Sequence, residues 1–154
     1  MRTTYRVLAY LLAVEVVVQA AAIAYAVFGE AAWIERGGIL DKAVMESDAI
    51  PFQEVVGFIV HGINGQLVVP LLAILLLVVS FFAKVPRGVM WAAIVLVVVV
   101  VQVLLGMFGR GVPALGLLHG INALILFAAA VTAARTAGSR SDGTVRVSER
   151  VDVG

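Results

Sequence analysis

Residues 88–109 read GVMWAAIVLVVVVVQVLLGMFG, a run of 22 positions with no charge and a single polar amide, Gln102. At about 1.5 Å rise per residue, a helix of this length covers about 33 Å, enough to cross a hydrocarbon core of about 30 Å. The Val and Ile content would favour a strand in water. In lipid an open strand leaves its backbone unpaired, and barrel strands alternate apolar with polar residues, which this run does not. It predicts a transmembrane helix, and three further runs, about 6–28, 55–82 and 113–134, have the same character.

The composition agrees. Of 154 residues, 62% are hydrophobic and 14% charged, with a mean hydropathy of +1.09, against about 45–50% apolar and about 25% charged in soluble domains. The predicted fold is all-α, an integral membrane four-helix bundle over 1–135, with a Ser/Gly/Thr-rich and charged cytoplasmic tail, 136–154, read as disordered. A net charge of +1 argues against a nucleic-acid partner, and the absence of cysteine excludes disulfides, thiolate catalysis and cysteine metal sites. The first run also has features of a signal peptide, with Arg2 and Arg6 ahead of it and Ala24-Tyr25-Ala26 in small-x-small form. Its length and its internal Glu15 and Gln19 favour a retained span.

Lys and Arg divide unequally between the two sides. Arg2, Arg6, Lys84, Arg87, Arg135, Arg140, Arg146 and Arg150 lie on one side, and Arg36, Lys42 and Arg110 on the other. The positive-inside rule places both termini in the cytoplasm of a bacterial-type cell membrane, with the lipid bilayer as the obligatory partner. Tyr5, Tyr25, Trp33 and Trp91 sit near span ends as interfacial anchors. The longest connection, 29–54, carries a charge balance of −4. Ile39, Leu40, Ala43 and Val44 there can form one face of a short interfacial helix, either a cap over the bundle or a plain solvated connection.

Self-comparison locates the polar residues. His61-Gly62-Ile63-Asn64 in the second span recurs as His119-Gly120-Ile121-Asn122 in the fourth, 58 positions on. Val16-Val17-Val18-Gln19 in the first span recurs as Val99-Val100-Val101-Gln102 in the third, and Val27-Phe28-Gly29 corresponds to Met107-Phe108-Gly109. The pattern predicts two repeated helical hairpins, the first with a lengthened loop. Counted from the span ends, both histidines lie about 9–10 Å below the outer edge, with the glutamines at a similar or slightly deeper level. Polar groups at this depth are costly unless they converge inside the bundle.

Two histidines at one depth on opposite helices meet the requirement for bis-histidine haem ligation, in which one ring nitrogen binds iron and the other needs an orienting acceptor. On this reading the metal ligands are His61 and His119. Gly62 and Gly120 admit a flat macrocycle or a neighbouring helix. Asn64 and Asn122 bond across the bundle or to cofactor edges, and Arg110, with Arg36, faces the haem propionates. The same layer also suits a scaffold or accessory subunit, in which His, Gln and Asn join helices with no cofactor at about 1 kcal/mol per bond. Residues alone leave both readings open. Two histidines without a third ligand suit zinc poorly. Glu15, well inside the first span, is read either as a proton relay or partner of a histidine, or as a protonated carboxyl bonded to another helix. A transporter path is disfavoured by the small lumen of four short helices. Pro70 predicts a kink after Gln66.

A span with an inner Gln and a small-residue exit, a short turn, and a span with His near its start, as in Val101-Gln102-Val103-Leu104-Leu105-Gly106 followed by Leu117-Leu118-His119, resembles one four-helix half of the haem A synthase family. Small four-helix bacterial membrane proteins share the same Gln and His pattern. The resemblance covers about 6–135 and implies one haem b between His61 and His119. The chain corresponds to one half only, so a second pocket requires a homodimer or a larger membrane complex. Phe58 and Gly62 stand where the family commonly has Glu and Arg, and the outer-loop cysteine pair of some members is absent. Haem A synthesis by this chain alone is therefore not expected, whereas haem binding for electron transfer or haem handling is.

Overall fold

The computed structural model describes residues 1–47, 49–109 and 111–138. Arg110, Asp48 and 139–154, which is all but the first three residues of the tail predicted over 136–154, lie outside the described residues; Thr136 ends α6, and Ala137 and Gly138 form a turn. The described chain is all-helical: α1 (Arg2–Glu35), α2 (Lys42–Glu46), a 3-10 turn (Gln53–Val55), α3 (Val56–Ile63), a π-helical segment (Asn64–Val68), α4 (Val69–Ser80), α5 (Gly88–Gly109) and α6 (Pro113–Thr136). α3, the π segment and α4 run on as one rod, so four helices are long and apolar enough to cross a membrane.

α5 and α6 coincide with their predicted spans to within two residues. α1 is longer than predicted, continuing past Gly29 to Glu35. Gly29 is no terminator because its missing Cβ makes room for the Glu54 side chain. The helix ends instead at Gly37, whose φ of +96° is the left-handed conformation favourable only to glycine. Its N–H bonds the Ile34 carbonyl at 2.9 Å, and that of Gly38 bonds Trp33 at 3.0 Å. The short connection helix is also present, one register later than predicted. Asp41 caps it through Val44 N–H at 2.9 Å, leaving Ile39 and Leu40 ahead of the helix.

α1 packs against α3/α4 and α6, and α5 against α4 and α6. The four rods thus form a ring in chain order, with the two histidine-bearing helices diagonal to one another. Packing is uneven along the axis. At the end where α1 begins and α6 ends, Tyr5, Ala9, Leu12, Ala73, Leu76, Ala92, Val95, Ala130 and Ala133 are buried, and the alanines let the backbones approach as membrane helices require. Tyr5 Oη donates to the Gly88 carbonyl at 3.0 Å, tying α1 to the start of α5. Toward the other end the core gives way to a cavity of about 640 Å³.

The buried positions keep a strict register. Tyr5, Ala9 and Leu12 of α1 stand 83 residues before Gly88, Ala92 and Val95 of α5, the same interval as Gln19 to Gln102. In the other pair the interval changes. His61 to His119 and Asn64 to Asn122 span 58 residues, whereas Val69, Ala73, Leu76 and Ser80 stand 57 before Leu126, Ala130, Ala133 and Ala137. The π segment accounts for the difference, since one π turn adds one residue to an α-helix. It ends two residues before Pro70, which has no N–H and whose ring crowds the Gln66 carbonyl four positions back. The irregularity predicted at Pro70 is thus a π turn.

Gly57 faces the Ala22 carbonyl and Ala26, whose Cβ would lie 3.0 Å from an added Cβ. Gly57→Val is expected to lower stability by about 1–3 kcal/mol, the usual cost of overpacking. Gly116→Ala, where an added Cβ meets nothing within 4 Å, should be neutral or slightly stabilising. Unfolding of both variants in detergent checks the pair.

Candidate functional site

His61 on α3 and His119 on α6 meet across the bundle, ring centroids 6.0 Å apart and planes inclined at 62°. Both line the cavity, together with Gln19 and Gln102 and apolar walls that include Phe58, Val99, Met107 and Leu126.

Each ring is held by the preceding helix of its own hairpin. His61 Nδ1 lies 3.1 Å from the Gln19 carbonyl, and His119 Nδ1 lies 3.0 Å from the Gln102 carbonyl. A backbone carbonyl can only accept, so each contact is a hydrogen bond when Nδ1 carries the proton, which leaves the lone pair on Nε2.

Behind the second histidine the amides follow one another without ambiguity. Asn122 Nδ2 donates to the Val98 carbonyl at 3.0 Å and to Gln102 Oε1 at 2.7 Å. That turns Gln102 Nε2 onto His119 Nε2 at 3.1 Å. Behind the first histidine the order is the same but the ends differ. Glu15 Oε2 accepts from Asn64 Nδ2 at 2.6 Å. The Gln19 amide is satisfied in one orientation, with Oε1 accepting from Asn64 Nδ2 and Gly65 N–H, both at 3.0 Å. Its Nε2 then donates to the His61 carbonyl at 3.0 Å and to His61 Nδ1 at 2.8 Å, an arrangement in which Nδ1 accepts and the ring proton sits on Nε2, so that the Gln19 carbonyl bond and the Gln19 amide bond belong to different His61 tautomers. The Glu15 carboxyl thus does for Asn64 what the Val98 carbonyl, 83 positions on, does for Asn122. His119 is engaged at both ring nitrogens, whereas His61 Nε2 has no hydrogen bond to a described residue.

Gln19, His61, Gln102 and His119 therefore converge as predicted. The asparagines do not: Asn64 and Asn122 stand behind the glutamines, bond within their own hairpins, and do not line the cavity. Arg36 lies exposed beyond the end of α1, away from the cavity lining. The two glycines singled out beside the histidines admit no neighbouring helix, since an added Cβ at Gly62 or Gly120 meets nothing within 4 Å. Close approach occurs at Gly106, which the sequence reading names only as part of a small-residue exit and not as a site residue, where an added Cβ would lie 3.1 Å from His119 Cε1. Its signal was available, because it falls one turn after Gln102 and on the same face.

The fold and site define a class: an all-α chain with four helices fit to cross a membrane and a paired-histidine cavity among them. No family model, curated protein or solved structure matches the chain. Among the described residues, no three His, Asp or Glu side chains come together to hold a bare metal ion.

Asn122→Leu removes two donor bonds and leaves Gln102 Oε1 without its partner, while the Val98 carbonyl keeps its bond within α5. Its expected cost is about 1–3 kcal/mol in detergent unfolding, as for a buried acceptor left unpaired, with a smaller cost for Asn122→Ser.

Proposed function

We propose that this chain is a multi-pass membrane protein that binds one haem b between His61 and His119, for electron transfer or haem handling near the outer face. The observation that carries this reading is the double tether. Both Nδ1 atoms lie at backbone carbonyls, on rings whose centroids are 6.0 Å apart. Two bonds of about 2 Å to one metal, with about 1 Å from each nitrogen to its ring centre, require a spacing of about 6 Å. The cavity falls within the roughly 300–1,000 Å³ of small-molecule and cofactor sites. Bound haem supplies one-electron chemistry. His61 and His119 would hold the group, the backbone carbonyls of Gln19 and Gln102 would orient the imidazoles, and at His119 the Gln102 carbonyl and amide together favour the Nδ1-protonated form that a metal ligand needs.

The reading extends to topology. The constant burial intervals support two hairpins of one design, and the excess of Lys and Arg supports cytoplasmic termini in a bacterial-type membrane. The Gln and His pattern resembles one half of the haem A synthase family. Phe58 and Gly62 in place of Glu and Arg argue against haem A synthesis by the chain alone, and a second pocket would come from a homodimer or larger complex.

One observation favours the cofactor-free alternative, a scaffold whose polar layer only packs helices. Among the described residues, no fully buried side-chain nitrogen or oxygen lacks a hydrogen-bond partner. Optical spectra separate the two. Protein purified from haem-replete cells should show a Soret band and, after dithionite, the sharp visible bands of a low-spin ferrous b haem. His61→Ala and His119→Ala should each abolish the low-spin spectrum. A protein without a Soret band overturns the haem reading, and a low-spin spectrum unchanged in both variants overturns the ligand assignment.

A further inference from the structure

We infer that the cavity has a lateral lobe that binds a bilayer-soluble quinone or its quinol, with the side-chain amide of Gln66 holding a ring oxygen. The site lies beyond the haem reading and stands whether or not haem occupies the histidines.

The repeat divides the cavity lining. Gln19 and His61 line it together with their counterparts Gln102 and His119, and Ile23 with Gly106. Phe58, Gly62, Val103 and Met107 line it too, but the residues that match them, Gly116, Gly120, Ala20 and Ala24, do not. The excess falls on one side, between α3 and α5. Helix packing gives the reason, since α4 packs on α5 as well as on α1, whereas α3 packs on α1 with no such packing on α5. A slot results at the level of the histidines. An added Cβ at Gly62 meets nothing within 4 Å, and Gln66 and Met107 are exposed, so the slot opens out of the bundle.

Gln66 is the polar residue of this slot. It stands in the π segment, where the repeat interval changes, and Ala123 and Leu124, the residues aligned with it at intervals of 57 and 58, are both apolar. The extra residue of the π turn thus brings in an amide with no counterpart, and π turns are frequent at functional sites. The amides of Gln19 and Gln102 are bonded within their hairpins. That of Gln66 makes no hydrogen bond to a described residue. It lies at the middle of the span Gln53–Ser80, where hydrocarbon offers no partner and a ligand that supplies one is favoured.

The chemistry of the lobe selects the ligand. Among the described residues no Asp, Glu, Lys or Arg lines the cavity, so a charged head finds nothing to pair with and the occupant is neutral. An amide both donates and accepts, and therefore fits a quinone carbonyl at Nε2 and a quinol hydroxyl at Oε1. The ring of Phe58 and the gap left by Gly62 suit a flat ring. An opening at mid-membrane depth admits a molecule dissolved in the bilayer, its tail left among the lipids.

A short-chain 1,4-benzoquinone titrated into the full chain in detergent is the probe, with binding read by calorimetry. One saturable site per chain is expected. Gln66→Leu should weaken it roughly tenfold, the weight of one hydrogen bond. Gly62→Leu, which puts a side chain into the slot, should abolish it. Gly120→Leu, the same change at the matched position outside the cavity, should leave it intact, with detergent unfolding showing that all three variants fold. No saturable binding, equal affinity in wild type, Gln66→Leu and Gly62→Leu, or equal damage from Gly62→Leu and Gly120→Leu overturns the inference. So does a Soret band lost in Gly62→Leu alone in a protein that binds no quinone, which assigns the lobe to haem. A dimer that Gln66→Leu dissociates, again without quinone binding, assigns the amide to a second copy and overturns it as well. Quinone binding with these variant effects and no Soret band in wild type supports the lobe and overturns the haem reading.

Discussion

Hydrocarbon offers no hydrogen bonds, so each polar side chain carried into the membrane must find its partner inside the bundle. This constraint organises the half of the bundle that carries the histidines. The apolar and small residues of the other half need only pack, and Tyr5, Ala9, Leu12, Ala92 and Val95 do so closely. Glu15, Gln19, His61, Asn64, Gln102, His119 and Asn122 must also be satisfied. They achieve it within hairpins, each histidine taking the main-chain carbonyl of the glutamine beside it. Because the partners lie behind the rings, the faces turned to the bundle axis are left for the cavity.

The two hairpins solve this problem with one unequal part. Asn122 uses a backbone oxygen, while Asn64, at the start of the π segment, uses the carboxyl of Glu15. The added residue of the π turn shifts the interval between matching positions from 58 at the half-buried His and Asn pairs to 57 at the buried positions beyond them, and the core there remains packed. A strictly repeated bundle would present two equivalent imidazoles. Here Gln102 reaches Nε2 of one, and Gln19 reaches Nδ1 of the other.

Much of this was legible in the sequence. The length and apolarity of 88–109 and 113–134 mark two helices, and the recurrence of His-Gly-Ile-Asn singles out the histidines that meet across the bundle. What sequence could not give were features set by side-chain contact. Gly29 looked like a helix end by analogy with Gly109, but its neighbour Glu54 lies 25 positions away in the chain and only packing reveals it. The asparagines lie one turn from the histidines, which fixes their face roughly; whether they reach the cavity or the glutamines depends on helix rotation. Pro70 announced a disturbance, and the choice of a π turn over a bend followed from burial below it.

The central claim is that His61 and His119 share one iron. X-ray absorption at the iron edge of the purified oxidised protein tests it most directly, with iron content measured on the same sample. The account predicts one iron per chain with two imidazole nitrogens at about 2 Å in addition to the porphyrin nitrogens, and loss of one of them in either His→Ala variant. Protein from haem-replete cells that carries no iron, or iron whose axial neighbours are not imidazoles, would contradict it.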